Sequence, residues 1–205
     1  RLESALKEWK GAPVKVEWHP YQLDPNIPES GLDRDTYLTS KFRDLERMKG
    51  MTDHLSNVGK EVGINFDFGP NWLAVNTLHL HQLLHVAGNE GFRDALKERF
   101  LKAYFEETKH LNDTKVLNEI MTEFGWSAEK VANIIADDSI AYAVKSEIAH
   151  YQQLGVSGVP FFIINNKYGI SGAQPSEVLL EALASVSPIE LIAEGESCDP
   201  ATGEC

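Results

Sequence analysis

At 205 residues, with 42% of them hydrophobic and 9% aromatic, the chain has the length and apolar content of one globular domain, or of one domain carrying a large insertion. Its formal net charge of −12 argues against a nucleic-acid or anionic-membrane surface, since both need clustered Lys and Arg. No apolar run reaches membrane-spanning length and the start, RLESALKEWKG, lacks a signal-peptide core, so cytoplasmic placement is the default expectation.

The first residues already read as helix: Leu2, Leu6 and Trp9 recur at helical spacing among charged residues. Nothing before them can act as a cap, which predicts that the chain starts inside a helix and that an N-terminal segment is missing. After Gly11, Val14, Val16 and Trp18 alternate with Lys15 and Glu17, the pattern of a half-buried strand stopped by Pro20. A Pro-rich loop follows, then a charged helical stretch over 33–61 and a loop at FDFGPNW. Helices are expected from Leu73 to Ala87 and along the face Phe92, Leu96, Phe100, Ala103 and Tyr104. The next begins at an Asp113 cap and ends at Gly125. A short one is capped by Ser127, and another carries Ile140, Val144, Ile148 and Tyr151 and stops at Gly155.

The pattern then switches. VPFFIINN is a short continuous apolar run that reads as a central strand, with KYGISG as its hairpin partner across Asn165-Asn166. Pro175 suits the first turn of a final helix with the face Val178, Leu179, Ala182, Leu183 and Val186. The tail EGESCDPATGEC is polar and expected to be disordered. Strands on both sides of a helical block imply an α/β domain interrupted by an all-helical insertion. The expected boundaries are 1–30 with 152–190 for the strand-bearing domain, 31–151 for the insertion and 191–205 for the tail.

The Val159-Pro160 step is the most informative feature. Proline lacks a backbone donor and is tolerated at a strand's first residue, or where a cis bond turns the chain. A cis bond would leave the Val159 backbone groups facing outward, free to pair with an extended peptide. A trans proline would merely start the strand.

The segment GVSGVPFFIINNKYGISGAQPSEVLLEAL resembles the C-terminal half of the thioredoxin fold as it occurs in the DsbA family. The chain is further similar to the FrnE-type members of that family through VEWHPYQLDP, NTLHLHQLLHVAG, FRDALKERFLKAYFEE and the terminal CDPATGEC. The resemblance implies a thioredoxin-like α/β fold with a large helical insertion. It also implies a cis Pro160 that faces active-site cysteines, with Val159 holding the peptide. The family pattern opens with a strand leading to Cys-Pro-Trp-Cys at a helix N-terminus, where the dipole favours thiolate. These 205 residues contain no C-x-x-C, and Arg1 aligns just past that motif. Either a segment bearing the motif is missing or the protein is a degenerate family member; the uncapped start favours the first, and the nucleophilic cysteine has no number here.

Both cysteines, Cys198 and Cys205, lie in the tail; their scarcity argues against a secreted fold stapled by disulfides. A small disulfide loop between them is geometrically feasible, and the resemblance suggests an auxiliary redox role. Neighbouring Glu194, Glu196, Asp199 and Glu204 work against nucleophilicity, and an unreactive flexible tail is the other reading. His81 and His85 share a helix face with His79 nearby, but no HExxH and no Cys or carboxylate set completes a metal site, so no metal is expected. In the family, the NT…H segment faces the groove beside the insertion. Asn76, Thr77 and His81 thus become candidate substrate-cleft residues, which helix capping and packing would also explain; Trp72 and Phe68 would extend an apolar wall, although aromatic residues beside a Gly-Pro turn are more often simply core.

The expected function is that of a thiol–disulfide oxidoreductase acting on protein or small-molecule disulfides, with no cofactor and no nucleic-acid or membrane partner. Two alternatives share the fold. One is a glutathione-dependent enzyme resembling 2-hydroxychromene-2-carboxylate isomerases and kappa-class transferases, with glutathione as a substrate. The other is a non-catalytic peptide-binding module. Nothing in the residues sets the oligomeric state.

Overall fold

In the computed structural model, residues 1–41 and 45–186 are described, with the side chains of 45–49 left outside that description. The contacts divide the chain into two units. One joins Arg1–Lys15 to the chain from Pro160 onward; the other is Val16–Val159.

In the first unit, α1 (Leu2–Glu8) packs on α9 (Ser176–Val186), and β3 (Phe161–Ile164) pairs antiparallel with β4 (Tyr168–Ser171). Ala5 of α1 is fully buried; on α9 Leu179 and Leu183 are buried, whereas Val178 of the expected face is 39% exposed, at the edge of the apolar stripe. The hairpin turns where expected: Asn165 and Asn166 have φ of 51° and 54°, the two left-handed residues of a type I′ turn. Its twist matches that of the flanking strands, and asparagine tolerates positive φ better than branched residues. Phe161 lies over Gly169, where a Cβ would approach the ring at 2.8 Å. Arg1 donates to the Ala173 carbonyl, and no side chain caps α1.

Two strand expectations are corrected by the backbone pairing. Residues 13–20 form no ladder, although Val16, Trp18 and Pro20 are half-buried between exposed neighbours, so the alternation is real. Alternation reports two unequal faces; a strand also needs a neighbour to complete its hydrogen bonds, and no described strand lies beside this segment. Likewise β3 is paired on one edge among the described residues, and Ile163 is 37% exposed rather than central.

The second unit is helical, with one very short ladder in which β1 (Leu32–Asp33) pairs with β2 (Leu73–Ala74). Its helices are α2 (Arg34–Lys41), α3 (Leu45–Glu61), α4 (Leu78–Asn89), α5 (Arg93–Phe105), α6 (Thr114–Glu123), α7 (Ala128–Ile135) and α8 (Asp138–Gln153). Leu83, Leu96, Ile120, Met121 and Val131 bring four of these helices into one core, and each is at most 2% exposed. Side chains this deeply buried contribute about 1.5–3 kcal/mol each relative to exposure.

Cap chemistry sets the ends as expected. The Lys115 amide donates to Asp113 at 2.7 Å, the Lys130 amide to Ser127 at 3.2 Å, and Gly125 takes a φ of 77°. Asp137, absent from the expected caps, closes the start of α8 by accepting from the amides of Ser139 and Ile140. The helix expected from Leu73 begins instead at Leu78. Leu73 and Ala74 are held in the ladder, and the Asn76 side chain accepts the Leu78 amide at 3.0 Å, which ends the extended segment there.

Candidate functional site

The segment around Pro160 is approached by a helix that ends sharply. At the end of α8, Gly155 takes φ 94° and the Val156 amide donates back to the Tyr151 carbonyl at 3.1 Å, a Schellman-type close. Val156 is buried, and the chain reaches Val159 with that side chain 48% exposed. Val159 ends the helical unit and Pro160 reopens the hairpin unit. On the hairpin side, the Gly172 amide donates to the Pro160 carbonyl at 2.9 Å, one step beyond the Phe161–Ser171 pair. Pro160 thus has its carbonyl secured while lacking a donor of its own, and Val159 stands just outside the ladder.

Within the helical unit, the candidate cleft residues meet in a hydrogen-bonded network. Asn76 Oδ1 accepts from Gln22 Nε2 at 3.1 Å, and Asn76 Nδ2 donates to the carbonyls of Ile27 at 2.7 Å and Pro25 at 3.3 Å. Its own backbone exchanges two bonds with the Asn112 side chain, at 3.0 and 2.9 Å. The amide of Asn76 is therefore occupied on both ends, joining residues 22–27 to the start of α4. Thr77 is the N-cap residue of α4, without a side-chain cap bond, and its carbonyl accepts from the His81 amide.

His81 lies one turn into α4, with Nε2 3.0 Å from the Tyr21 carbonyl oxygen. A carbonyl only accepts, so Nε2 carries the proton. Burial pushes the His81 pKa below the ordinary imidazole value, against a weaker upward pull from the Tyr21 carbonyl and the Glu147 charge. His81 is accordingly held neutral. On the same segment, His19 Nδ1 lies 2.6 Å from Glu147 Oε1 of α8, and its ring rests 4.7 Å from that of Tyr151. Tyr21 OH reaches the Val156 carbonyl at 3.5 Å. Residues 19–22 are thus stitched to α4 and to the C-terminal end of α8.

Trp72 is 8% exposed and sits among Tyr37, Phe68 and Tyr104, with ring centroids 5.9, 6.3 and 5.6 Å away. Its indole Nε1 is buried without a hydrogen-bond partner. Phe68 packs against the same small cluster. Tyr37 OH donates to Asp24 at 2.6 Å, and burial together with that carboxylate raises its phenol well above the usual range. Burial also works to raise Asp24, but bonds from Lys41 and Tyr37 prevail and hold it low.

Sequence reasoning missed Gln82, which is 1% exposed and donates its Nε2 to the Ile134 carbonyl at 3.1 Å and the Ile135 carbonyl at 3.2 Å. These carbonyls lie in the last turn of α7; that of Ile134 also accepts the Asp137 amide at 3.3 Å, and Gln82 adds a side-chain donor to both. No periodic signal marks such a residue, since a glutamine between Leu80 and Leu83 reads as an interruption of the apolar face. No cluster of three or more His, Cys, Asp or Glu among the described residues could hold a metal. His79 faces Glu29 at 3.9 Å instead. Cys198 and Cys205 lie outside the described residues. No helix among those described is long and apolar enough to cross a membrane.

The described residues thus give an α/β protein in which a helix pair and a β-hairpin, with a proline at the hairpin's entrance, are separated along the sequence by a large helical unit. Residues 1–184 match the family model described as a DSBA-like thioredoxin domain. The crystal structure of a probable DsbA oxidoreductase from Streptomyces coelicolor superposes with a TM-score of 0.82 at 31% identity, over 97% of this chain and 88% of that one. The Bacillus subtilis protein YwbO is 23% identical over 177 residues, which is 85% of this chain and 84% of YwbO. The chain belongs to the DSBA-like thioredoxin domain family, in which the solved relative bears the name of an oxidoreductase.

Proposed function

We propose that the protein is a thiol–disulfide oxidoreductase of the DsbA type, in the FrnE-like subgroup, acting on protein or small-molecule disulfides without a cofactor. The observation that carries this reading is the half-exposed Val159 directly before Pro160, at the entrance of β3, in a chain matched to the DSBA-like model almost throughout.

In this reading Val159 offers its backbone N–H and C=O to an extended substrate, a one-residue strand addition, and Pro160 in the cis form packs beside the reacting sulfurs. A thiolate attacks one sulfur of the substrate disulfide, an S–S bond forms as the old one breaks, and the other substrate sulfur leaves as thiolate. A second cysteine then displaces the substrate, leaving the enzyme oxidised and the substrate reduced; the reverse order oxidises a dithiol. The cysteine that attacks is not numbered among these 205 residues. Cys198 and Cys205 serve as an auxiliary pair. Asn76, Thr77, His81 and Trp72 contribute by setting the wall of the substrate cleft, through the bonds and packing that hold residues 21–27 against α4.

Insulin reduction and oxidation of a reduced dithiol peptide, assayed on the full-length gene product, test the proposal. The expected result is turnover with a trappable mixed disulfide. Inactivity in a protein with an intact C-x-x-C overturns it, and turnover only with glutathione conjugates or isomerisable substrates assigns the glutathione chemistry instead.

A further inference from the structure

The tie between residues 19–22 and α8 includes a basic nitrogen that the proposed cleft does not use. His19 Nδ1 lies 2.6 Å from Glu147 Oε1. A carboxylate only accepts, so Nδ1 carries the proton, and Nε2 on the far side of the ring keeps its lone pair for another partner. The His19 side chain is 38% exposed, whereas Glu147 beneath it is 29% exposed. The ring is steadied by Tyr151, one turn beyond Glu147 on the same helix, with centroids 4.7 Å apart. An imidazole held in this way has the arrangement of a general base, because the carboxylate fixes the tautomer and offsets the charge that develops when Nε2 takes a proton. The pair also stands at the approach to Val159. Tyr21, two residues past His19, reaches the Val156 carbonyl, and the Tyr151 carbonyl accepts the Val156 amide at 3.1 Å. Val159 follows three residues later, at most about 11 Å of extended chain from Val156. His19, Glu147, Tyr151 and Val159 all belong to the helical unit.

We propose that His19 is the general base of the thiol–disulfide exchange, with Glu147 as its positioning residue; this assignment rests on the redox reading. In the oxidising direction the neutral Nε2 takes the proton of an incoming substrate thiol. The thiolate so formed attacks the enzyme disulfide of the proposed reaction. A sulfur–sulfur bond to the substrate forms, the enzyme's own bond breaks, and the second enzyme sulfur leaves as thiolate. His19 then gives its proton to solvent. The second substrate thiol repeats the step on the mixed disulfide, which releases the substrate as disulfide and the enzyme as dithiol. An alkyl thiol with a pKa of about 8.5 is only about 3% ionised at pH 7, so a base that supplies the thiolate is worth at most about thirtyfold.

Single-turnover oxidation of two thiols by the preoxidised full-length gene product, at pH 7, tests the assignment. With a reduced dithiol peptide, His19→Ala should be about tenfold slower and Glu147→Gln about threefold slower, and the double variant should be no slower than His19→Ala. Added imidazole should restore part of the His19→Ala rate and leave the parent unchanged. With 2-nitro-5-thiobenzoate, an aryl thiol already ionised at pH 7, every variant should match the parent, because no proton has to be removed; that arm also shows that the variants are folded. An equal loss with both thiols overturns the proposal and leaves His19 a structural tie. Peptide oxidation unaffected by His19→Ala overturns it as well. A parent that oxidises neither thiol overturns the redox reading, and this assignment with it.

Discussion

The imidazole of His81 donates to the backbone carbonyl of Tyr21 at 3.0 Å, sixty residues away in sequence, and is held neutral there by burial. This contact ties the irregular segment between α1 and α2 to the first turn of α4. Because the folded-state pKa is lowered, the unfolded chain binds the proton first as pH falls. Stability contributed by the neutral ring is complete above the ordinary imidazole pKa of about 6.5 and is lost as pH drops from there through the folded value. Thermal melts between pH 7.5 and 5 should therefore show a falling Tm, and His81→Gln should flatten that slope.

Gln82 offers a sharper test of the helical unit. Gln82→Glu keeps the shape but places a carboxylate oxygen where an N–H now faces the carbonyls of Ile134 and Ile135. Acceptor against acceptor in a site 1% exposed should destabilise more than Gln82→Leu, which removes the side-chain donor at a cost of about 1–3 kcal/mol while the Asp137 amide still reaches the Ile134 carbonyl. Denaturant unfolding measures both, with the glutamate variant recovering at low pH as its carboxyl protonates.

The hairpin turn predicts opposite signs at one position. Asn166 has φ 54°, so Asn166→Gly should be neutral or stabilising, whereas Asn166→Val should cost about 1–2 kcal/mol. Chemical denaturation of the two variants checks the order.

At Gly11 the indole of Trp9 lies where a side chain would begin, with Trp9 Cζ2 inside the space that a Cβ on residue 11 would fill. Trp9 also donates to the Ala12 carbonyl at 2.8 Å, which fixes the ring over the glycine. Gly11→Ala should displace the indole and change its fluorescence, and should lower Tm by a few degrees.

Activity should respond to the Pro160 entrance. Pro160→Ala should reduce kcat/KM for a disulfide substrate by about tenfold, equivalent to about 1.4 kcal/mol of transition-state stabilisation. Val159→Ala should change it little, because the proposed contact uses backbone groups. Full activity in Pro160→Ala would remove the proline from the mechanism.

Local chemistry was readable from the chain itself. Asp113, Ser127, Gly125 and Gly155 mark helix ends through groups that act on neighbouring residues, and Asn165-Asn166 marks a turn for the same reason. The apolar spacing of α5 and α6 likewise follows from one helix burying one face. The proline step and its flanking motif carried the family. What failed was pairing: residues 14–18 alternate like a strand without being in a ladder, and Leu73–Ala74 enter a ladder while reading as helix. Only the tertiary structure decided these, and only it brought together Gln22, Asn76 and Asn112, or His81 and Tyr21. Caps, turns and periodic faces are settled within a few residues, so sequence states them directly. A ladder partner or a buried amide's acceptor is supplied by residues far along the chain, and exists only once the chain has closed upon itself.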